Sequence, residues 1–295
     1  MRRRVLGSTG IEVSVVGFGA SPLGGVFGAI DEDAGRAAVR RALDLGVNYF
    51  DTAPYYGATR SEAALGAALR GVPRDAYVLS TKVGRYGVDA FDFSAARIES
   101  SVFESMARLG VEHVDVLLCH DVEFVDRRVV LEEAIPAVIA LRDRGVARAV
   151  GISGFPLDVL ADISGHADID VVLSYGQYVL YDTAMDRLAT ALDAAGRGLI
   201  NASPLGMGLL SGDEAPSWHP AAEPLRAACR EAATFAESSG VALSRLAMRF
   251  ASRAPAATTL VGMHTPEQVQ SNHAAFHDEA LDLYVDRLRH HMKWV

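Results

Sequence analysis

Segments with the pattern of a β-strand alternate with segments with the pattern of a helix along nearly the whole chain. Strands separated by helices pair in parallel, and eight strand–helix units predict an α/β fold of the closed (β/α)8 TIM-barrel type. The eight strands are expected at residues 15–20, 48–53, 77–83, 114–119, 147–153, 171–175, 198–202 and 258–263.

Helices are expected between these strands, with capping residues at several ends. Asp31 begins the first helix and Gly46 follows its end, while Ser94 is a candidate N-cap. The predicted helices are residues 31–45, 61–69, 94–109, 129–144, 157–163, 183–195, 223–238 and 266–276.

Two additions to the barrel are expected at its ends. Turn residues 7–10 separate two short strand-like segments, 3–6 and 12–15, and predict a β-hairpin that closes the bottom of the barrel. Residues 277–291 predict an extra C-terminal helix. Because an α/β barrel typically takes about 250 residues, we expect residues 1–295 to form one domain.

Composition excludes several classes of protein. The net charge of −9 argues against nucleic-acid or anionic-membrane partners. The chain has two cysteines, Cys119 and Cys229, without a disulfide framework, and it has no metal-ligand spacing. No apolar run approaches the roughly 20 residues of a membrane span. We therefore expect a cytoplasmic monomer or homodimer that acts on a small molecule without a metal.

Polar residues lie where three predicted strands end. Asp51 lies near the end of the second strand and Tyr56 follows it, Lys82 lies at the end of the third, and His120 follows the fourth. In a parallel barrel all strand C-termini meet at one face, where active sites are built. The glycine-rich regions 84–93 and 205–222 are expected at the same face, over a bound ligand.

These four side chains can carry out proton chemistry on a carbonyl or an alcohol. A phenol with a pKa of about 10 is a poor base at neutral pH, and a nearby ammonium favours the phenolate. We therefore expect Tyr56 as acid/base, Lys82 to lower its pKa, Asp51 to hold Lys82, and His120 to orient the substrate oxygen. The structural alternatives are a surface Tyr56, a purely structural Asp51–Lys82 pair and a hydrogen-bonded His120 at the barrel mouth.

Two other interpretations of the sequence are a Rossmann nucleotide-binding site and a Schiff-base aldolase. Residues 17–20 and 24–25 carry glycines, but the third glycine and the acidic residue of a Rossmann fold are missing, so we interpret them as barrel turns. Lys82 could instead form a Schiff base in an aldolase, which would need no nicotinamide.

The chain resembles the aldo-keto reductase superfamily over nearly its full length. The motifs are Leu6-Gly-Ser-Thr-Gly, Gly17-Phe-Gly-Ala, Phe50-Asp-Thr-Ala-Pro-Tyr-Tyr-Gly, Ser80-Thr-Lys, Cys119-His, Gly151-Ile-Ser and Ser203-Pro-Leu-Gly. The resemblance implies a catalytic tetrad of Asp51, Tyr56, Lys82 and His120. The closer likeness is to NAD-dependent aldose 1-dehydrogenases, the L-galactose, L-fucose and D-threo-aldose dehydrogenases, which oxidise the C1 hemiacetal of a sugar to a lactone.

The resemblance also implies which residues bind the ligands. The expected cofactor-binding residues are Gly19, Ala20, Asp51, Ser153, Ser174, Ser203, Leu205, Gly206, Gly262, Met263, His264, Gln268 and Asn272. The expected substrate-binding residues are Tyr55, Tyr56, His120, Asp121, Trp218 and His219. For Trp218 and His219 the alternative is a loop anchored by its own aromatic residues.

Departures from the broader superfamily concern the cofactor. The usual carboxamide-binding Asn is Gly154, its usual Gln partner is aligned with Ser174, and the usual stacking aromatic is Ala202. Gln268 and Gly262 replace the Arg and Lys that grip a 2′-phosphate, so NAD is expected over NADP, with His264 as a partial substitute. An NADPH-dependent aldehyde or carbonyl reductase and a channel-associated regulatory subunit are the competing functions.

Overall fold

Eight parallel strands close into a barrel in the computed structural model, which describes residues 1–212, 215–292 and 294. The strands are β1 Arg3–Val5, β2 Glu12–Ser14, β3 Val16–Gly19, β4 Tyr49–Asp51, β5 Val78–Val83, β6 Val114–Cys119, β7 Ala147–Gly154, β8 Val171–Tyr175, β9 Gly198–Ala202 and β10 Thr258–Gly262. The strand order around the barrel is β10-β3-β4-β5-β6-β7-β8-β9, so the predicted (β/α)8 barrel is confirmed.

Helices cover the outside of the barrel, and side-chain caps set several of their first residues. Asp31 accepts hydrogen bonds from the backbone of Asp33 and Ala34, and Ser94 accepts one from Arg97. The helices are α1 Glu32–Asp44, α2 Arg60–Leu69, α3 Ala95–Leu109, α4 Arg127–Val129, α5 Ile135–Asp143, α6 Leu157–His166, α7 Met185–Ala194, α8 Glu223–Ser238, α9 Leu243–Ala251, α10 Pro266–His277 and α11 Asp282–His291. No helix of the described residues is long and apolar enough to cross a bilayer.

The structure differs from the prediction in three helical regions. Helix α9 is additional: apolar residues repeat at helical spacing there, but one helix per strand was assumed. The predicted helix 129–144 is divided by a π turn, Val130–Ala134, beside Pro136, which has no N–H to donate. The C-terminal helix begins at Asp282, after a 3-10 turn.

The N-terminal hairpin closes the end of the barrel where the strands begin. Leu6, Ile11 and Val13 are buried in the barrel's interior cluster. Asn48, immediately before β4, accepts a hydrogen bond from Ser14 N through Oδ1 and donates one to Glu12 O through Nδ2. The hairpin therefore forms the predicted plug, and the opposite end is the open face.

Candidate active site

Strand alternation decides which residues face inward at the open end of the barrel. Leu173, Ile200 and Leu260 belong to the interior cluster, so the residues two positions later on the same strands also face inward. The same alternation applies around the barrel. The inward-facing residues at the mouth are Gly19, Asp51, Lys82, His120, Ser153, Tyr175, Ala202 and Gly262.

A buried ion pair lies at the centre of this layer. Lys82 Nζ donates to Asp51 Oδ1 at 2.6 Å and to the Thr52 carbonyl at 2.8 Å. The other carboxylate oxygen of Asp51 accepts from Ser80 Oγ at 2.7 Å. Lys82 is 1% exposed, so both ends of this pair are held by hydrogen bonds away from water.

A tight turn after β4 holds Tyr56 beside the ion pair. Gly57 has φ +62°, and a Cβ there would overlap the backbone of Gly24, so only glycine allows the two loops to meet. Lys82 Nζ lies 4.8 Å from the centre of the Tyr56 ring, and the His120 ring lies 5.5 Å from it, edge to face. The structure thus brings Asp51, Tyr56, Lys82 and His120 together.

The electrostatics of Tyr56 differ from the sequence-based expectation. Burial and the Asp51 carboxylate raise the pKa of the Tyr56 phenol well above its usual value, and do not lower it. The expectation counted the Lys82 ammonium but not the carboxylate that balances its charge. Tyr56 is therefore a neutral phenol in the protein without ligands.

His120 is a neutral, buried imidazole. Burial lowers the pKa of His120 to about 3; Asp121 opposes this effect, and Lys82 and Arg85 add to it. Its Nδ1 is buried and has no hydrogen-bond partner among the described residues, whereas Nε2 lies 3.6 Å from Asp121 Oδ2. His120 can therefore donate or accept one hydrogen bond, but it carries no charge at neutral pH.

Arg85 is a residue at the mouth that the sequence-based reasoning missed. Its guanidinium forms an ion pair with Asp121, which has φ +54°, and lies 4.0 Å from the centre of the Tyr55 ring. The stacked rings of Phe91 and Phe124 lie on its other sides, at 5.2 and 5.1 Å. Arg85 thereby fixes both Tyr55 and Asp121, two of the expected substrate residues. The only sequence signal was its place in the predicted covering loop.

Small residues leave a trough on the opposite side of the mouth. Ala202, Gly262 and Gly19 lie on neighbouring strands β9, β10 and β3 and face inward with almost no side chain. A Cβ at Gly19 would lie 3.3 Å from the Val261 backbone, and one at Gly262 would lie 3.0 Å from Pro22. At Gly19 and Gly262 a larger side chain would therefore crowd its neighbours, which keeps this part of the trough open.

The expected cofactor residues are divided by strand alternation. Ser153 faces inward and lies 3.4 Å from the backbone N of Asp121. Ser174 lies between the interior residues Leu173 and Tyr175, so its side chain faces the outer layer, where its Oγ has no partner among the described residues. The inward-facing side chain at this end of β8 is Tyr175. The outward-facing Ser174 is therefore not placed as the cofactor ligand with which it was aligned.

The remaining expected cofactor residues lie in the turns after β3, β9 and β10 and in helix α10. Ser203 and Gly206 both adopt positive φ, and Gly206 N donates to Ser203 O at 2.9 Å, so Leu205 lies within a tight turn at the rim; Ala20 N donates to Asp51 O at 2.8 Å. Met263 and His264 lie in the turn after β10, Gln268 lies in the first turn of α10, and Asn272 lies in the middle of that helix.

Trp218 and His219 lie in the loop after β9, of which residues 213 and 214 are outside the described residues. His219 Nε2 contacts Gly206 O at 3.0 Å and its Nδ1 accepts from Ala221 N at 3.0 Å. Trp218 is exposed and its ring centre lies 5.6 Å from that of Phe27. Both ring nitrogens of His219 are used inside the loop, which favours an anchoring role for it.

Comparison with known proteins gives the family. The model of the aldo/keto reductase family matches residues 15–291. L-galactose dehydrogenase of Arabidopsis thaliana is 44% identical over 278 residues, covering 92% of this chain and 87% of the plant protein. D-threo-aldose 1-dehydrogenase of a Pseudomonas species is 34% identical over 231 residues, 70% of each chain.

A solved structure shares the whole architecture. The holo form of an aldo-keto reductase from Bacillus halodurans superimposes with a TM-score of 0.81 at 25% identity, covering 100% of this chain and 97% of that one. The closed barrel, the family match and these relatives agree. The chain belongs to the aldo/keto reductase family and is an oxidoreductase that acts on CH–OH groups.

Proposed function

We propose that this protein oxidises the anomeric carbon of an aldose, such as L-fucose, L-galactose or D-arabinose, to the aldonolactone with NAD. The observation that carries the proposal is the meeting of Tyr56, the Asp51–Lys82 ion pair and neutral His120 at one mouth. The similarity to L-galactose and D-threo-aldose dehydrogenases supports an aldose as the substrate.

The trough at the mouth fits a nicotinamide ring. Members of this family use nicotinamide cofactors, and Gly19, Ala202 and Gly262 leave a shallow surface beside the ion pair where a flat ring can approach the backbone. Inward-facing Ser153 lies beyond the trough as a hydroxyl for the carboxamide group. When bound, the nicotinamide supplies the acceptor for the hydride that leaves C1.

The residues of this chain handle the proton of the C1 hydroxyl. In the cyclic sugar, oxidation breaks the C1–H bond and the O–H bond of the same carbon and forms the lactone carbonyl. Tyr56, once deprotonated, takes the hydroxyl proton, while His120 Nε2 hydrogen-bonds the same oxygen and orients it. The Lys82 ammonium, held by Asp51, lies beside the Tyr56 ring and stabilises its negative charge.

The rest of the mouth is polar, as a sugar requires. Tyr55, Asp121 and Arg85 line it, and a sugar hydroxyl left unpaired in a closed site costs about 1–3 kcal/mol. Asp121 Oδ1 is buried and has no hydrogen-bond partner among the described residues. It can therefore accept a hydrogen bond from a sugar hydroxyl. These groups recognise the sugar beyond its reacting carbon.

Sugar oxidation should become faster as the pH rises. Because burial raises the pKa of Tyr56, only a small fraction of the enzyme carries the phenolate at neutral pH. That fraction grows tenfold per pH unit below the pKa. His120, with a pKa of about 3, should add no ionisation between pH 5 and 8. The measurement is kcat from pH 6 to 10 with saturating NAD⁺ and aldose. A flat profile, with the chemical step shown to be rate-limiting by a C1-deuterium isotope effect, would contradict Tyr56 as the base.

The segment that would meet the adenosine ribose lacks fixed positive charge. No Lys or Arg occurs from Gly262 to Asn272. Burial lowers the pKa of His264, so it is a weak partner for a phosphate dianion. Gln268 Oε1 accepts from the His264 backbone at 2.9 Å and so stiffens this turn. These features support NAD over NADP.

Exchanging Gln268 for arginine should shift the cofactor preference. Gln268→Arg places a guanidinium at the start of α10, and a charge-assisted bond to a 2′-phosphate contributes roughly 1.5–3 kcal/mol, or about 10-fold or more in kcat/KM for NADP. The measurement is kcat/KM with each cofactor for the wild type, Gln268→Arg and the uncharged control Gln268→Leu. A wild-type enzyme that prefers NADP would refute the NAD assignment.

One observation favours the alternative, an NADPH-dependent aldehyde or carbonyl reductase. The raised pKa of Tyr56 keeps its proton in place at neutral pH, and a reductase needs Tyr56 as a proton donor. The deciding experiment compares L-fucose, L-galactose, D-arabinose and L-xylose with NAD⁺ against simple aldehydes with NADPH. Oxidation of no aldose together with efficient aldehyde reduction would replace our proposal by the reductase.

The other competing functions receive less support from the site. A Schiff-base aldolase needs a free amine, whereas Lys82 Nζ is engaged by Asp51 and the Thr52 carbonyl. Borohydride trapping of a sugar on Lys82 without nicotinamide would revive it. A purely regulatory subunit does not need this proton-transfer group. Measurable turnover would exclude a purely regulatory function.

A further inference from the structure

We propose that Tyr175 forms the aromatic wall against which the nicotinamide ring packs. This inference rests on the proposed function, since it concerns the cofactor of the same site. It assigns a role to a residue that is not among the predicted cofactor-binding or substrate-binding residues.

The register of the barrel places Tyr175 beside the trough. Tyr175 is the last residue of β8 and pairs with Ala202 of β9, the first of the three small residues. The trough continues through Gly262 and Gly19, and Asp51 is the next inward residue beyond it. Tyr175 and Asp51 are thus its two borders, and of these Tyr175 carries the ring.

The Tyr175 ring is available to a ligand. It packs against the interior cluster but keeps part of its surface exposed. No described residue hydrogen-bonds its hydroxyl, so no such bond fixes the ring. The Phe155 ring supports it from one side, with ring centres 5.6 Å apart. Burial, Asp121 and Glu123 raise the pKa of Tyr175, so the ring stays a neutral phenol.

A ring at this position compensates for a ring that is missing on the neighbouring strand. The aromatic residue expected from the family resemblance is Ala202, and its direct register neighbour is Tyr175. A flat heteroaromatic ring gains affinity by stacking on an aromatic side chain. The small side chain of Ala202 leaves room for the nicotinamide ring, and the Tyr175 ring provides the surface on which it stacks.

The test measures NAD⁺ binding by calorimetry in the absence of sugar. Tyr175→Ala should bind NAD⁺ about 10-fold more weakly, in the range of one lost stacking contact. Tyr175→Phe keeps the ring and should bind within about 3-fold of the wild type. Phe103→Ala, which removes an exposed ring on helix α3 outside the mouth, is the matched control and should leave binding unchanged.

A rescue variant separates stacking from general damage. Tyr175→Ala combined with Ala202→Tyr moves the ring to the neighbouring strand and should recover most of the lost affinity. Thermal melting checks that each variant is folded. Unchanged NAD⁺ affinity in folded Tyr175→Ala overturns the inference, as does Tyr175→Phe matching Tyr175→Ala, which would assign the effect to the hydroxyl. A wild type that binds no nicotinamide at all would refute the proposed function instead.

Discussion

Replacing Tyr56 by phenylalanine should lower turnover at least about 100-fold, because general acid–base catalysis contributes in that range. The substitution removes one oxygen and keeps the ring that packs against His120 at 5.5 Å and lies near Lys82. NAD⁺ affinity, measured by calorimetry, should therefore change little. The measurement is kcat with a saturating aldose that the wild type oxidises.

Tyr55→Phe is the matched control for this variant. It removes the neighbouring phenol oxygen but leaves the proposed base in place, so it should raise KM for the sugar more than it lowers kcat. Near-normal turnover of Tyr56→Phe would move the acid/base role to another group, with His120 the first to examine.

Replacing Lys82 by methionine should cause the largest loss of stability among the site variants. It leaves the Asp51 carboxylate buried and unpaired, which costs about 3–5 kcal/mol of unfolding free energy. For a chain of this size that corresponds to a fall of roughly 10 °C in melting temperature. Turnover should fall as well, since the charge beside Tyr56 is gone. Scanning calorimetry and kcat are the two measurements.

The double variant Lys82→Met with Asp51→Asn tests the cause of this loss. It removes both charges and should recover much of the stability while staying inactive, since removing a whole buried pair is far less costly than removing one partner. A Lys82→Met protein as stable as the wild type would contradict an unpaired buried carboxylate as the cause of the loss.

The sequence predicted the barrel and the meeting point of the four polar residues because both follow from one rule. Parallel strands end at one face, so Asp51, Lys82 and His120 had to lie together once their strands were recognised. The hairpin plug was also predictable, since its turn lies between two short apolar strands. The chemical properties that depend on the surroundings of each residue could not be predicted by this rule.

Three features were not predictable from residue patterns. The direction of the Tyr56 pKa shift depends on burial of the phenol and on the nearby Asp51 carboxylate, and both require coordinates. Arg85 reaches Asp121 only through the path of its loop. The inward position of Tyr175 depends on strand register, where a shift of one residue exchanges the two faces.

The N-terminal hairpin has a consequence for the kinetics of the enzyme. Leu6, Ile11 and Val13 fill the far end of the barrel, so both ligands must enter and leave through the same mouth. The trough of Gly19, Ala202 and Gly262 forms the floor of that mouth, beneath the space left for the sugar. If the nicotinamide lies on this floor as proposed, a sugar above it blocks its exit, and we expect the cofactor to bind first and to leave last.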